Sequence, residues 1–438
     1  MRLKGFENIR NIYFIGIGGI SMSALAKYAS VCGYTVSGSD SVRSEQTEQL
    51  AFYGVKVHIG ITENNEELTH AELVVYTDAI PIEHTELVFA RRQGKKIIAR
   101  ADFLKAVCQG FPWVVSVAGS HGKTTCTSMC AHVLKSAEVP FTAHIGGEDL
   151  SFGNFYSSGE EYFVTEACEY KKNLLKIQSN TAILLNIDND HMDTYKDMHD
   201  LENTFRTFVK DSVCVYNTDD KSSCSIQNHI SVSYGIKNSA TYMAKRIKLD
   251  TNGSTFTLYE NGRKRNNVQL SIIGEHNVGN ALSVCAMANL LGISDKKILE
   301  GVFAFKGVKR RMEKLGLSNG KEYFADYAHH PTEIKRITEA IELQNMLLKS
   351  NDKEQKGENV YVFQPHTYSR TKYLMEEFEN NPKEIWDTKM FGKSLYSLVN
   401  EGLQNKLLVM PQEIQKKMRR TLGRIVNEGK GGVICILL

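Results

Sequence analysis

Residues 118–125 read Ala118-Gly119-Ser120-His121-Gly122-Lys123-Thr124-Thr125, AGSHGKTT, a run that ends as a phosphate-binding loop ends and begins as one does not. The long form of that loop, GxxxxGK[ST], requires glycine where this chain has Val117, so the turn is two residues short. Its setting is still strand, loop, helix. Val114 to Val117 reads as a strand, and the residues after Lys123 are rich in Thr, Cys, Met and Ala. Backbone N–H groups at such a helix start cradle phosphate oxygens, Lys123 reaches the β and γ phosphates, and Thr124 offers a hydroxyl to Mg²⁺. A chance GKT turn is the competing reading, and the strand and helix around it argue against it.

Outward from the loop, EYFVTEACEY and TAILLNIDNDHMD are two further apolar strands whose C-terminal ends carry Glu166 and His191. Ligands of open α/β sheets sit beyond the carboxyl ends of strands, so Lys123, Glu166 and the Asp/His run are expected to face one site. Mg²⁺ prefers oxygen ligands, so His191 taken alone reads as a hydrogen-bonding residue, and Asp188, Asp190 and Asp193 as a solvated turn. GEHNVGNALS places His276, Asn277 and Asn280 where a glycine turn enters a helix. Each Asn there serves equally as an adenine reader or as a helix cap and spacer. Arg310 and Arg311 in KRRME either clamp phosphate or decorate a linker.

Before the loop, residues 11–40 read as strand, glycine turn, helix and second strand, a βαβ unit. Gly16, Gly18 and Gly19 approximate GxGxxG with Ser21 in the third glycine place, and Asp40 is set to accept a ribose hydroxyl. A plain tight turn accounts for the glycines as well, and the motif does not separate NAD from a UDP-sugar. Residues 1–110 are therefore expected to form a parallel α/β domain, punctuated by Pro112. Short alternating strands over about 231–273, with Asn252-Gly253 and Asn261-Gly262 as hairpin signals, predict an antiparallel appendage to a middle domain over 111–308. A third α/β segment over 309–438 carries YFADYAHHP and VYVFQPHTYSRT, separated by the solvated run KSNDKEQKGEN.

At 438 residues the chain exceeds one core, and 42% apolar with 24% charged residues is ordinary for a globular protein. A net charge of +3 removes the electrostatic argument for nucleic-acid or membrane partners. No signal-like or spanning segment is legible, so a cytoplasmic location is expected. The nine cysteines lack CxxC spacing, and Cys126 and Cys130 read as buried reduced thiols.

These pieces in this order resemble the Mur ligase family, which makes peptidoglycan precursors. The resemblance is carried by FIGIGGISMSALA, GSHGKTT, EACEY, NIDNDHMD, GEHNVGNALS, GVKRRME, DYAHHPTEI and FQPHTYSRT, over about residues 10–378. The histidine inside the phosphate loop and the His-His-Pro run point to the alanine-adding branch. The resemblance implies three domains: Rossmann-like, P-loop ATPase-like with the antiparallel appendage, and a second Rossmann-like domain. It also implies an ATP- and Mg²⁺-dependent ligase that joins L-alanine to UDP-N-acetylmuramate through an acyl phosphate, as a monomer or homodimer.

The resemblance assigns residues as follows. Gly119, Ser120, His121, Gly122, Lys123, Thr124 and Thr125 hold the ATP phosphates, with Asn277, Asn280, Arg311 and Asp326 around the rest of the nucleotide. Thr124 and Glu166 hold one Mg²⁺, and His191 a second. Gly16, Gly18, Gly19, Ser39 and Asp40 hold the UDP. His121, His329, His330, His366 and Arg370 lie at the muramyl and amino-acid end.

The chain departs from the family pattern at Asp78, Ala325, Thr367 and Lys372, and after YLMEEFEN it lacks an expected strand and an ARE-like segment. A third domain that misses a strand and a ligand-facing loop is therefore expected. This motivates an alternative, a relative that binds nucleotide and UDP-sugar without ligation. An NAD-dependent dehydrogenase built on GIGGIS leaves the GKT loop unexplained.

Overall fold

The computed structural model describes residues 3–61, 65–226, 230–250, 253–318, 321–351, 359–363 and 432–437. The first segment runs β1 (Asn11–Ile15), α1 (Ile20–Val31), β2 (Thr35–Asp40), α2 (Glu45–Gln49), β3 (Lys56–Ile59), α3 (Glu66–His70), β4 (Leu73–Tyr76), α4 (Thr85–Arg92), β5 (Lys96–Ala99) and α5 (Arg100–Cys108). Its five strands are all parallel in the order β3-β2-β1-β4-β5. The order reverses at β1, so the crevice beyond β1 and β4 is where such a sheet accepts a ligand. β1 is apolar and buried on both faces, as the middle of a covered parallel sheet requires.

The second segment runs β6 (Trp113–Ala118), α6 (Lys123–Ser136), β7 (Phe141–Asp149), β8 (Gly153–Ser157), β9 (Tyr162–Ala167), β10 (Thr181–Leu184), α7 (Met198–Val209), β11 (Val213–Asn217), α8 (Lys221–Cys224), β12 (Ser231–Gly235), β13 (Tyr242–Asp250), β14 (Gly253–Glu260), β15 (Arg263–Leu270), α9 (Glu275–Leu290) and α10 (Asp295–Ala304). These strands form one ten-stranded sheet in the order β15-β14-β13-β12-β11-β10-β6-β9-β7-β8. β6 lies between β9 and β10, parallel to both, so the phosphate loop leaves from the interior of the sheet.

The expected antiparallel appendage needs correction in extent. β12 pairs in parallel with β11 and β13, and only β13, β14 and β15 run antiparallel to one another. The hairpins therefore continue the main sheet. Asp219, between β11 and β12, explains the turn, since its carboxylate accepts from the backbone N–H groups of Ile236, Lys237 and Asn238.

One face of the large sheet packs α6, α9 and α10 in a core that includes Met129, Leu134, Phe141, Val284 and Phe305. The other face shares a core with the first segment, where Tyr28, Phe111 and Phe163 stack. Cys126 and Cys130 are buried free thiols, as read from the sequence. The third segment contains β16 (Glu313–Ser318), β17 (Lys321–Asp326), α11 (Pro331–Asn351), β18 (Val360–Phe363) and β19 (Gly432–Leu437), in the sheet order β16-β17-β19-β18. β19 pairs in parallel with β17 and β18, so GVICIL fills the middle of this sheet. The segment said to lack a strand lies outside the described residues. Among the described residues no helix is long and apolar enough to cross a membrane.

Candidate active site

The turn between β6 and α6 is short because glycine geometry closes it. Gly119 has φ +135°, and a Cβ there would lie 2.9 Å from the Asn186 carbonyl oxygen. Gly122 caps α6 in the left-handed region at φ +86°. A side chain at either position is strained. Asn186, just after β10, fastens the loop by accepting from His121 N at 2.8 Å and donating to His121 O at 3.0 Å. Ser120 N donates to Asn186 O at 3.0 Å.

Lys123 folds back into this loop. Its ammonium donates to Gly119 O at 2.5 Å, to Ser120 O at 3.1 Å and to both oxygens of Glu169 at 2.9 and 3.0 Å. Burial pushes the Lys123 pKa down, but the buried Glu169 carboxylate outweighs it and holds the lysine above its ordinary value. Glu166, at the end of β9, accepts from Gly146 N at 2.8 Å. His191 has a left-handed backbone at φ 56°, and its Nε2 lies 3.8 Å from Glu169 Oε1 and 3.7 Å from Asp190 Oδ2.

His191, expected to hold a Mg²⁺ apart from that of Thr124 and Glu166, lies in its own group of acidic side chains. Glu169, Asp190 and His191 bring ligand atoms within 4.8 Å of one another, a group that contains His191 but not Glu166. The carboxylate oxygens of this group suit Mg²⁺.

The third segment reaches the loop through α11. His121 Nε2 lies 3.0 Å from Asp188 Oδ2, and His121 Nδ1 lies 3.2 Å from Glu333 Oε1. Thr332 Oγ1 donates to Asp188 Oδ2 at 2.6 Å, and the His330 ring lies 4.8 Å from that of His121. Burial pushes His121 down, but its hydrogen bonds to Asp188 and Glu333 win and raise it. The same bonds hold both carboxyls well below their ordinary range against burial. Burial and the neighbouring His121 lower His330. His329 Nδ1 stands 3.7 Å from Glu333 Oε2.

Beside the loop opens a cavity of about 940 Å³, lined in part by Thr124, Thr125, Asn277, Asn280, Arg311 and Asp326. Asn277 and Asn280 share one face of α9 and touch each other, Nδ2 to Oδ1 at 3.3 Å. Arg311 lies 3.7 Å from Glu333 and over the Tyr327 ring. Asp326 is buried, which pushes its carboxyl up to about 6, and it accepts from Met312 N at 2.7 Å.

In the first segment Gly16, Gly18 and Gly19 form the turn after β1, and Asp40 Oδ2 accepts from Gly18 N at 2.9 Å. The Ser39 hydroxyl is turned into the core, 2.5 Å from Glu86 Oε2, so only its backbone borders the turn. Asp78 stands 3.9 Å from Lys171. His366 and Arg370 lie outside the described residues.

Sequence reasoning missed Asn186, Glu169, Thr332 and Glu333, and left Asp188 and Asp190 as solvent-facing. Asp190 is in fact buried. Glu169 stood in the same EACEY stretch as Glu166, three residues further on, just past the end of β9. Glu333 had no local signal, because its partner His121 is more than two hundred residues away in the chain.

Comparison with known proteins matches three stretches of the chain to family models. Residues 11–112 match the Mur ligase family, catalytic domain, and residues 117–288 match the Mur ligase middle domain. Residues 368–438 match the C-terminal part of sporulation stage IV protein A, a different family. The chain is 40% identical over 382 residues to the UDP-N-acetylmuramate–L-alanine ligase of Clostridium acetobutylicum, covering 85% of this chain and 80% of that one. It is 37% identical over 403 residues to the protein of the same name from Acetivibrio thermocellus, covering 89% and 82%. The fold resembles the UDP-N-acetylmuramate-alanine ligase structure from Thermotoga maritima, with TM-score 0.76 and 24% identity over 98% of this chain and 95% of that chain. It also resembles a murein peptide ligase of Psychrobacter arcticus, with TM-score 0.71 and 24% identity over the same shares.

Proposed function

The chain belongs to the Mur ligase family, and from that premise we propose that it joins L-alanine to the lactyl carboxylate of UDP-N-acetylmuramate, using ATP. The observation that carries this reading is Lys123, seated in the phosphate loop and paired with the Glu169 carboxylate, which His191 also approaches, while His121 of the same loop meets Glu333 of α11. Residues 1–110 would hold the sugar nucleotide, 111–308 the ATP, and 309–438 the amino acid.

Transfer of a phosphoryl group between two anions needs alignment and positive charge more than a covalent catalyst. A carboxylate oxygen of the sugar nucleotide attacks the γ phosphorus, and ADP leaves. The alanine amine, once deprotonated, attacks the acyl carbon, and inorganic phosphate leaves with one former carboxylate oxygen. Lys123 exchanges Glu169 for the β and γ phosphates. The loop N–H groups of residues 119–125 hold those phosphates, and Asn277, Asn280, Arg311 and Asp326 bound the nucleotide cavity. Mg²⁺, when bound, neutralises phosphate charge, and Thr124, Glu166, Glu169, Asp190 and His191 are the residues that would hold it. Gly16, Gly18, Gly19 and Asp40 place the diphosphate at the start of α1. His329 and His330 face the acceptor end, and Arg370, inside the segment matched to the other family, would bind the alanine carboxylate. The soluble substrates suit a cytoplasmic enzyme, working as a monomer or homodimer.

The test is phosphate release and amide formation with Mg²⁺, ATP, UDP-N-acetylmuramate and L-alanine, leaving out one component at a time. Product only in the complete mixture, abolished by Lys123→Ala, supports the reading. Binding of both nucleotides by the folded protein with no amide in any mixture overturns it in favour of a non-ligating relative.

A further inference from the structure

Among the described residues a second group of side chains, besides Glu169, Asp190 and His191, gathers metal-ligating atoms. His121, Asp188 and His330 bring theirs within 4.8 Å of one another. They come from three elements far apart in the chain: the phosphate loop, the turn after β10 and the start of α11. Both histidines are buried, while the Asp188 side chain is 29% exposed and opens the group to solvent.

The partners of each ring fix its protons. A backbone N–H can only donate, and that of Thr332 donates to His330 Nδ1 at 3.3 Å, so Nδ1 carries the lone pair. Nε2 then holds the ring proton and gives it to the Asn189 carbonyl at 3.3 Å. Two lone-pair atoms, His330 Nδ1 and Asp188 Oδ2, therefore face each other at 3.7 Å with no proton of their own between them. At His121, Nδ1 donates to Glu333 Oε1 at 3.2 Å, and Nε2 stands 3.0 Å from the same Asp188 oxygen.

Each histidine thus turns one nitrogen to Asp188 and spends the other on an oxygen outside the group, His121 on a carboxylate and His330 on a backbone carbonyl. Metal-binding histidines are held this way, because the outer acceptor fixes the ring and raises the basicity of the inner nitrogen. Asp188 is fixed as well. Its Oδ1 accepts from Asn189 N at 2.8 Å, its own N–H donates to Ser120 Oγ at 2.9 Å, and the Thr332 hydroxyl donates to Oδ2 at 2.6 Å. Tetrahedral metal bonds of about 2.1 Å set donors about 3.4 Å apart, and the 3.0 and 3.7 Å separations from Asp188 Oδ2 bracket that value. Two imidazoles and one carboxylate suit Zn²⁺, whereas Mg²⁺ prefers oxygen ligands throughout.

We propose that His121, Asp188 and His330 form a site for a divalent transition-metal ion of the Zn²⁺ class, apart from the Mg²⁺ group, which ties the phosphate loop to α11. The ion takes the Nε2 lone pair of His121, whose proton leaves to solvent, and replaces the long Thr332 contact at His330 Nδ1. A fourth position stays open for water. Neither nucleotide nor sugar substrate is needed to form the site, so it stands apart from the ligase reading.

The test titrates Co²⁺, which absorbs visibly in tetrahedral nitrogen and oxygen sites, into the full chain with Mg²⁺ in large excess, and then adds Zn²⁺. Wild type should show the Co²⁺ bands, and Zn²⁺ should bleach them by displacement. His330→Gln should lose the bands, and His191→Asn, in the other group, should keep them. Glu333→Gln should weaken Co²⁺ binding about 10- to 100-fold by releasing the His121 ring. Zn²⁺ should also raise amide protection at the start of α11 in wild type and not in His330→Gln, whose circular dichroism and metal-free urea midpoint report an intact fold. Wild type without the bands, or bands that survive in folded His330→Gln, overturns the proposal and leaves the ligase reading standing. Where His330→Gln does not fold, unchanged Co²⁺ affinity in Glu333→Gln overturns it equally.

Discussion

Lys123 and Glu169 show how one ion pair anchors a side chain inside the phosphate loop. The ammonium makes four contacts, to two loop carbonyls and to both oxygens of the Glu169 carboxylate. Both partners are largely buried, so removing one leaves an uncompensated charge. Glu169→Gln is expected to destabilise the fold by about 3 kcal/mol, read as a shift in urea midpoint. Lys123→Met in that background should restore much of the loss, because it removes the stranded cation. With the raised Lys123 pKa, the pair's contribution is present below the ordinary lysine value and is lost as pH rises through the raised one. At the neck of the loop, Gly119→Ala should cost about 1–3 kcal/mol and weaken ATP binding, because its Cβ would press on Asn186. Both glycines and the lysine were legible in AGSHGKTT, since their demands are local. Asn186 was not, because a backbone-pairing asparagine leaves no periodic trace.

Among elements, the joint between the phosphate loop and α11 is built from charged groups. His121 sits between Asp188 and Glu333, with Thr332 completing the Asp188 contacts. The raised imidazole stabilises this joint below the ordinary histidine value, and that part fades as pH rises through the raised one. The depressed carboxyls stabilise it above their ordinary range, and that part fades as pH falls through their lowered values. The joint should therefore be tightest from the ordinary carboxylate range up to the ordinary histidine value, and loosen as pH rises on through the raised one. Amide protection at the start of α11, taken relative to the intrinsic exchange rate at each pH, should be greatest in that window and fall above it, and His121→Asn should abolish the alkaline limb. A flat profile in wild type would contradict this account of the joint. The strands that feed the site were readable from apolar runs ending in polar residues. The parallel pairing of β12 was not, because hairpin signals at Asn252-Gly253 and Asn261-Gly262 set local turns and carry no information on the partner strand.

Over the whole molecule, one side chain touches all three segments. Lys309, in the link into the third segment, lies 2.6 Å from Glu45 on α2 and 2.8 Å from Glu148 on β7, and these carboxylates push its pKa up to about 12. Gln46 donates to Glu148 at 2.9 Å in the same cluster. The lysine is partly exposed, so Lys309→Ala should change stability by no more than about 1 kcal/mol. Its effect should instead appear as a several-fold rise in KM for the sugar nucleotide, whose segment it ties to the other two. The order of segments was legible because each opens on its own strand and motif. The contacts between them were not, since Lys309 with Glu45 and His121 with Glu333 join residues remote in the chain. The central claim is that these segments bring a carboxylate to the γ phosphate of ATP. The most direct measurement uses UDP-N-acetylmuramate with ¹⁸O in the lactyl carboxylate, incubated with ATP, Mg²⁺ and L-alanine, and reads the released phosphate by mass. The account predicts one ¹⁸O atom transferred to inorganic phosphate for each amide formed. Amide formation with unlabelled phosphate would contradict it.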